Sequence, residues 1–193
     1  MLKRDWIITN AAAVALSASM LAFPQAQAHA QANYQTPAYT DLAKALPTAK
    51  ITLVQGIAQV AKGTEVPTEA KYEMEKGKLM LTVYTSAKGF DTAAEDNSFN
   101  EYGGDATAAT WAPEKEVFAD LKHIARSAQY HTLLSMTKMA IPAIIQKASA
   151  EGTVFSVKEK VRNGKAVFEV LTAQGNTVKA TFYDLVTGEP AAN

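Results

Sequence analysis

The sequence predicts an α+β protein in which one helix-and-hairpin unit is used twice. Each helix is expected to pack on a small antiparallel sheet, and a long helix is expected to join the two units. Three observations predict this. The stretch "RNGKAVFEV" (162–170) echoes "EKGKLMLTV" (75–83), with Gly164 standing 87 residues after Gly77. The same offset lays Ile141, Ile144, Ile145 and Ala148 over Val54, Ile57, Ala58 and Ala61, the i, i+3, i+4, i+7 stripe of a helix lying on a sheet. Around both glycines, apolar and polar residues alternate with the period of a half-buried hairpin. An offset that runs from helix to strand without a gap marks an internal repeat.

The chain has 193 residues, 48% of them apolar and 20% charged, which suits one domain or two small ones with a buried core. Its 19 basic and 19 acidic residues balance, so no charge excess draws it to nucleic acid. Lys3 and Arg4 precede an Ala- and Ser-rich apolar run from Trp6 to Phe23, Pro24 breaks it, and Ala28-His29-Ala30 follows. That pattern predicts a signal peptide over residues 1–30, cleaved after Ala30, and no membrane attachment afterwards. No cysteine occurs, so the core is stabilised by burial alone and no lipid-bearing cysteine follows the cut. The expected location is the periplasm or the medium.

Residues 31–48 read as a lead-in segment with a short helix at 41–46, "DLAKAL". The first unit is expected over 49–112. Thr52 and Gln55 have the spacing of a capping box, and Gly63 suits the left-handed residue after a helix. Two strands joined at "KG" follow, with Ala70, Tyr72 and Met74 facing Leu79, Leu81 and Val83 across the turn. "SAKGFDTAAEDNS" (86–98) is loop by composition, and a short strand is expected over 99–102.

Residues 113–136 predict the connecting helix. Pro113 suits a first helical position and Glu114 and Glu116 suit its positive end, while Val117, Phe118, Leu121, Ile124, Ala125 and Ala128 would form its buried stripe. The second unit, 137–193, repeats helix and hairpin. Pro142 lies early enough in its helix to do little harm. A third strand, "TVKATFYDL" (177–185), ends in "DLVTGEP" (184–190).

A helix, a strand pair with a "GK" turn, and a further strand ending in Asp-x-x-Thr-Gly-Glu resembles the PepSY domain family. The residues that carry the resemblance are the 141–148 helix, Asn163-Gly164-Lys165, Phe168-Glu169-Val170 and the 184–189 turn. The second copy spans 137–190. The first spans 51–105: its hairpin matches, but "GDATAAT" (104–110) keeps Asp105 and lacks the glycine at the turn's end. The resemblance implies two loosely cystatin-like modules, each with one helix on three or four antiparallel strands. Such modules occur in propeptides of secreted metallopeptidases, where they inhibit or assist folding, and in small exported proteins. It implies no catalytic residue.

Turn chemistry accounts for Asp184, Thr187 and Gly188: the carboxylate accepts from downstream amides and glycine supplies positive φ. The functional alternative is Asp184 with Glu189 as a metal or acid/base pair. Two histidines follow the leader, and His123, His131, Met136 and Met139 are weak candidates for a soft metal such as Cu(I). Core methionine and surface histidine explain them more simply. Ser127 and His131 have i, i+4 spacing without the strained elbow or third group of a nucleophile. Glu69, Glu73, Glu75 and Glu159 alternate with apolar residues and are expected on a solvated sheet face. Gly103-Gly104 lacks the strand–loop–helix setting of a phosphate cradle. Trp111, Phe118 and Tyr130 read as packing.

The expected function is therefore a non-enzymatic exported binding module that needs no cofactor. It would inhibit or modulate a peptidase or other envelope protein through a sheet edge or the cleft between units. A metal or small-ligand carrier is the alternative, and a hydrolase the third reading.

Overall fold

A computed structural model describes residues 34–137 and 139–191. The predicted signal peptide and its cleavage site after Ala30 lie outside the described residues. The chain is α+β. Its seven strands form one antiparallel sheet in the order β4-β3-β2-β1-β5-β6-β7. They are β1 Val66–Glu75, β2 Lys78–Ser86, β3 Phe99–Asp105, β4 Glu114–Val117, β5 Thr153–Arg162, β6 Lys165–Gln174 and β7 Thr177–Asp184. The helices are α1 Pro37–Ala45, α2 Leu53–Val60, α3 Leu121–Ser135 and α4 Ile141–Ala148.

The repeat is visible in the backbone itself. Lys76 and Gly77 take positive φ at the first hairpin turn, and Asn163 and Gly164 do so at the second, 87 residues later. Glu73 pairs with Met80 and Lys160 with Val167 at the same spacing. Even the bulge recurs: the register shifts between Pro67 and Glu69, and again between Val154 and Ser156. Strands β1 and β5 meet at Ala70–Val157 and Lys71–Ser156. Ala70 and Val157 are equivalent residues at the offset of 87, and equivalent residues of antiparallel strands face each other only on a local two-fold axis. The halves therefore share one sheet, wound outward from its centre.

Helices α2 and α4 cover one face. Gly56 lets α2 settle on the sheet, since a Cβ there would lie 2.5 Å from Leu81 Cδ2. The capping box expected at Thr52 is present, with the Thr52 amide 2.8 Å from Gln55 Oε1 and the Gln55 amide 3.2 Å from Thr52 Oγ1. The predicted stripe of α2 is corrected: Leu53, Gly56, Ile57 and Val60 are buried, whereas Val54 is 39% exposed and Ala58 is exposed. The matching stripe of α4 is Ile141, Ile144, Ile145 and Ala148. The helices thus align at an offset of 88 and the strands at 87, and one residue is lost between them. Gly63 is not the residue that ends α2; Ala61 is the cap, and Gly63 takes its positive φ in the turn beyond.

Helices α1 and α3 cover the other face. The lead-in is part of the body, because α1 buries Leu42 and Ala43 and belongs to the same apolar core as both repeats. The predicted connecting helix over 113–136 is also corrected. Glu114–Val117 is an edge strand on β3, its charged side chains all exposed as an edge requires. Only at Asp120, whose carboxylate accepts from the His123 amide at 3.1 Å, does α3 begin. Val117 and Leu121, expected in its buried stripe, are 56% and 81% exposed. Its buried side is Ser127, Tyr130, His131 and Leu134. The strand expected over 99–102 continues to Asp105, because Gly104 admits the Trp111 indole, which a Cβ would meet at 2.6 Å.

Candidate functional site

Pairing places Lys71 and Ser156 on one face, and Ser156 pairs with Leu171 on the same side. On this face α1 touches β7 and β1 while α3 touches β5, β1 and β3, so the two-fold seam forms the floor beneath them. A cleft of about 310 Å³ opens there. Tyr39 and Leu42 of α1, Phe155 and Leu171 of the second repeat and Arg126 of α3 line its walls, with Glu69, Lys71, Glu73 and Lys158 at its base. A smaller cavity of about 150 Å³ adjoins it, sharing Glu69, Lys71 and Arg126 and adding Tyr84, Ser127 and Tyr130.

The charges at the base repeat in part: Lys71 matches Lys158, whereas Lys160 stands where the first repeat has Glu73. In the first repeat Lys71 Nζ pairs with Glu73 at 2.7 Å, and Thr82 donates to the same carboxylate at 2.8 Å. In the second, Glu169 stands at the position of Thr82 and receives Lys160 at 2.7 Å, Lys158 at 3.5 Å and the Tyr34 hydroxyl at 2.8 Å. Burial alone would raise the Glu169 carboxyl, but the bonds from Lys160 and Tyr34 hold it below the ordinary range. Burial pushes the Tyr84 hydroxyl far up, reinforced by Glu101, Glu69 and Glu73, so it stays neutral.

Glu69 differs from these neighbours. It is only 7% exposed, lies in the wall of both cavities, and makes no hydrogen bond or close ion pair among the described residues. Burial raises its carboxyl pKa even though Lys71, Lys158 and Arg126 all act to lower it. A second carboxylate, Glu159, is 1% exposed with neither oxygen hydrogen-bonded, and burial pushes its pKa well up. The expectation that Glu69 and Glu159 lie on a solvated face is therefore corrected. At Glu69 alternation reports one covered face, whereas α1 and α3 cover the other as well; Glu159 instead shares the α2/α4 face with Val157 and pairs with Phe168 inside the apolar core. Glu73 is partly exposed and Glu75 exposed, as expected.

Two other carboxylates are fully occupied and read as structural. Glu65 receives Thr85 at 2.5 Å, Asn100 at 2.7 Å and the Tyr102 hydroxyl at 3.0 Å. Glu151 plays the same part in the second repeat, bonded by Lys179, Thr181 and Tyr183. Each ties the start of its hairpin to its third strand. No sequence signal marked them, because their donors are far away along the chain.

The weak metal candidates do not converge. His123 is half-exposed, pairs with Asp120 at 2.6 Å and stacks on Phe118. His131 is buried two turns along, with Nδ1 3.0 Å from Ser86 Oγ and its ring against Phe90 and Phe99. Ser86, not Ser127, is its partner. Met136 is 59% exposed, and Met139 packs on Gly188. Among the described residues no cluster of three His, Cys, Asp or Glu side chains has the geometry to hold a metal ion.

Asp184 sits in a closed turn. Its Oδ1 accepts from the amides of Val186 and Thr187 at 3.0 and 2.9 Å and from the Thr187 hydroxyl at 3.1 Å. Gly188 has φ 67° and donates its amide to the Asp184 carbonyl at 2.8 Å. Glu189 pairs instead with Lys147 at 3.0 Å. Asp105 makes the corresponding turn in the first repeat, accepting from the Thr107 amide at 2.8 Å and its hydroxyl at 2.7 Å.

No family model matches the chain, and no curated protein matches it. Among solved structures, a predicted lipoprotein of Clostridium difficile 630 is similar at 15% identity and a TM-score of 0.39, over 75% of this chain and 92% of that one. Likeness at that level carries neither fold nor function across. Among the described residues, no helix is long and apolar enough to cross a membrane.

Proposed function

We propose that the chain is an exported, non-enzymatic binding protein built from two PepSY-like repeats, and that it inhibits or modulates a peptidase or another envelope protein. The observation that supports it is the cleft on the two-fold seam, where side chains of both repeats, α1 and α3 converge around a carboxylate that lacks a donor among the described residues. Ligand sites combine apolar walls with a few convergent polar groups in this way, often where two structural units meet. A small-ligand carrier is the second reading, favoured by the cleft's volume of about 310 Å³.

The test has two arms. The purified protein is immobilised and challenged with envelope extract of its own host, and it is separately added to the host's secreted peptidases. The expected result is a specific retained partner or a peptidase whose activity falls, with the effect reduced in Lys158→Gln. Retention of nothing specific together with unchanged peptidase activity would remove the reading.

A further inference from the structure

Building on the reading of the cleft as a binding site, we infer that it takes the zwitterionic backbone of a short peptide, carboxylate toward Lys158 and Arg126 and ammonium toward Glu69. Lys71 and Ser156 are cross-strand partners, and Lys158 lies two residues beyond Ser156 on the same face. The two lysine stems therefore start about 7–8 Å apart, as diagonal neighbours do. Lys71 is engaged at 2.7 Å by Glu73 and reaches over the Tyr84 ring at 5.4 Å. Lys158 is held only loosely, 3.5 Å from a Glu169 oxygen, while Lys160 takes the other oxygen at 2.7 Å. Its ammonium is thus the lysine charge at the base with attraction to spare. Arg126 faces it from α3, with its guanidinium 5.9 Å from the Tyr130 ring.

Glu69 supplies the opposite requirement. Glu69 is 7% exposed as a residue, and no hydrogen-bond donor among the described residues reaches its carboxylate, whose lone pairs are left open to the cleft. The buried Glu169 and the partly exposed Glu65 and Glu151 all have donors. Glu69 does not, and it opens onto the cleft. A ligand ammonium would complete its shell and hold it ionised. The Tyr39 and Phe155 rings, 6.0 Å apart, stand in the same wall as Leu42 and Leu171 and offer an apolar surface to a side chain. The volume of about 310 Å³ suits two residues better than a long segment.

The experiment is a titration of the full protein by calorimetry and by amide chemical shifts, using the dipeptide Ala-Phe, its N-acetylated form and its C-terminal amide. Ala-Phe is expected to bind, with shifts at Lys71, Ser156 and Tyr39, and each blocked form to bind at least tenfold more weakly. Glu69→Gln should remove the preference for the free amine while keeping that for the carboxylate, and Lys158→Gln should do the reverse. Thermal melts confirm that both variants are folded. No binding of Ala-Phe at millimolar concentration, or equal binding of all three forms, overturns the inference. A partner still captured in that case leaves the binding reading standing and removes only its ligand chemistry.

Discussion

Phe168→Ala is expected to remove about 3–5 kcal/mol of folding stability, the usual cost of deleting a buried phenylalanine. The side chain is 0% exposed, pairs across strands with Glu159 and Tyr183, and belongs to the core that joins both repeats and α1. Domains of this size are stable by roughly 5–15 kcal/mol, so the loss is a large share of the total. The useful readout is in the other half of the molecule. Trp111, buried in the first repeat, reports unfolding there, since the second tryptophan, Trp6, lies in the predicted leader. With one shared core, urea unfolding followed by Trp111 fluorescence and by far-ultraviolet circular dichroism should shift together to a lower midpoint. A Trp111 transition left in place would mean that the halves fold independently.

The second large effect is a pH dependence centred on Glu159. In the first repeat its position is filled by Tyr72, whose hydroxyl donates to the Ile51 carbonyl. Glu159 finds no such partner, and its burial favours the neutral acid over the carboxylate. Burial raises its pKa in the folded state, the nearby Glu69 adds to the rise, and its own amide and Lys158 offset part of it. Below about pH 4.5 both folded and unfolded chains hold the proton and the group adds no pH dependence. Above that, the unfolded chain releases the proton while the folded chain keeps it. Stability therefore falls as pH rises, by about 1.4 kcal/mol per pH unit until the folded group itself ionises. Glu69 and Glu101, both raised first by burial, add to the same trend. Urea midpoints of the wild type between pH 5 and pH 8 should decline, and Glu159→Gln should flatten much of the decline. Glu159→Leu should be the most stable of the three at pH 8, by about 1–3 kcal/mol over wild type. Parallel curves for wild type and both variants would show that Glu159 is not buried as the neutral acid.

Much of the fold was legible in the sequence because local chemistry announces it. Lys76-Gly77 and Asn163-Gly164 need positive φ, and that requirement fixed both hairpins and the offset between them. The slip by one residue at α2 was hidden because Leu53 and Val54 are both apolar; the choice between them is made by Gly56, which alone fits against Leu81. The edge strand β4 resembles a helix start in sequence because Glu114, Lys115 and Glu116 suit a first turn equally well. Its pairing with β3 is non-local, and no window of sequence contains both partners. Whether the two units share a sheet was likewise beyond a repeat pattern, which fixes the unit but not the contact between copies.

The cleft was the least legible part. Its residues come from α1, β1, β5, β6 and α3, and its chemistry depends on burial that alternation misassigned at Glu69. His123, His131, Met136 and Met139, whose types suit a soft metal, are scattered by the fold. One observable would have pointed the right way: charged residues at equivalent places in the two copies, with Lys71 matching Lys158 and Glu73 matching Lys160. Repeated polar positions on strands that face each other mark a symmetric site more directly than residue type does.

The pairing of β1 with β5 makes one sheet of two repeats and the floor of the cleft. The chain has no cysteine, so a disulfide placed there is unambiguous. In Lys71→Cys/Ser156→Cys the two residues are direct cross-strand partners, within about 4.5–5.5 Å between Cα atoms and inside the range a disulfide bridges. Mild oxidation should yield a monomer with one internal cross-link, seen by intact mass and by faster migration on non-reducing gels, and it should close the cleft to Ala-Phe. A folded monomer that keeps two free thiols, or cross-links only to other copies, would contradict the shared seam.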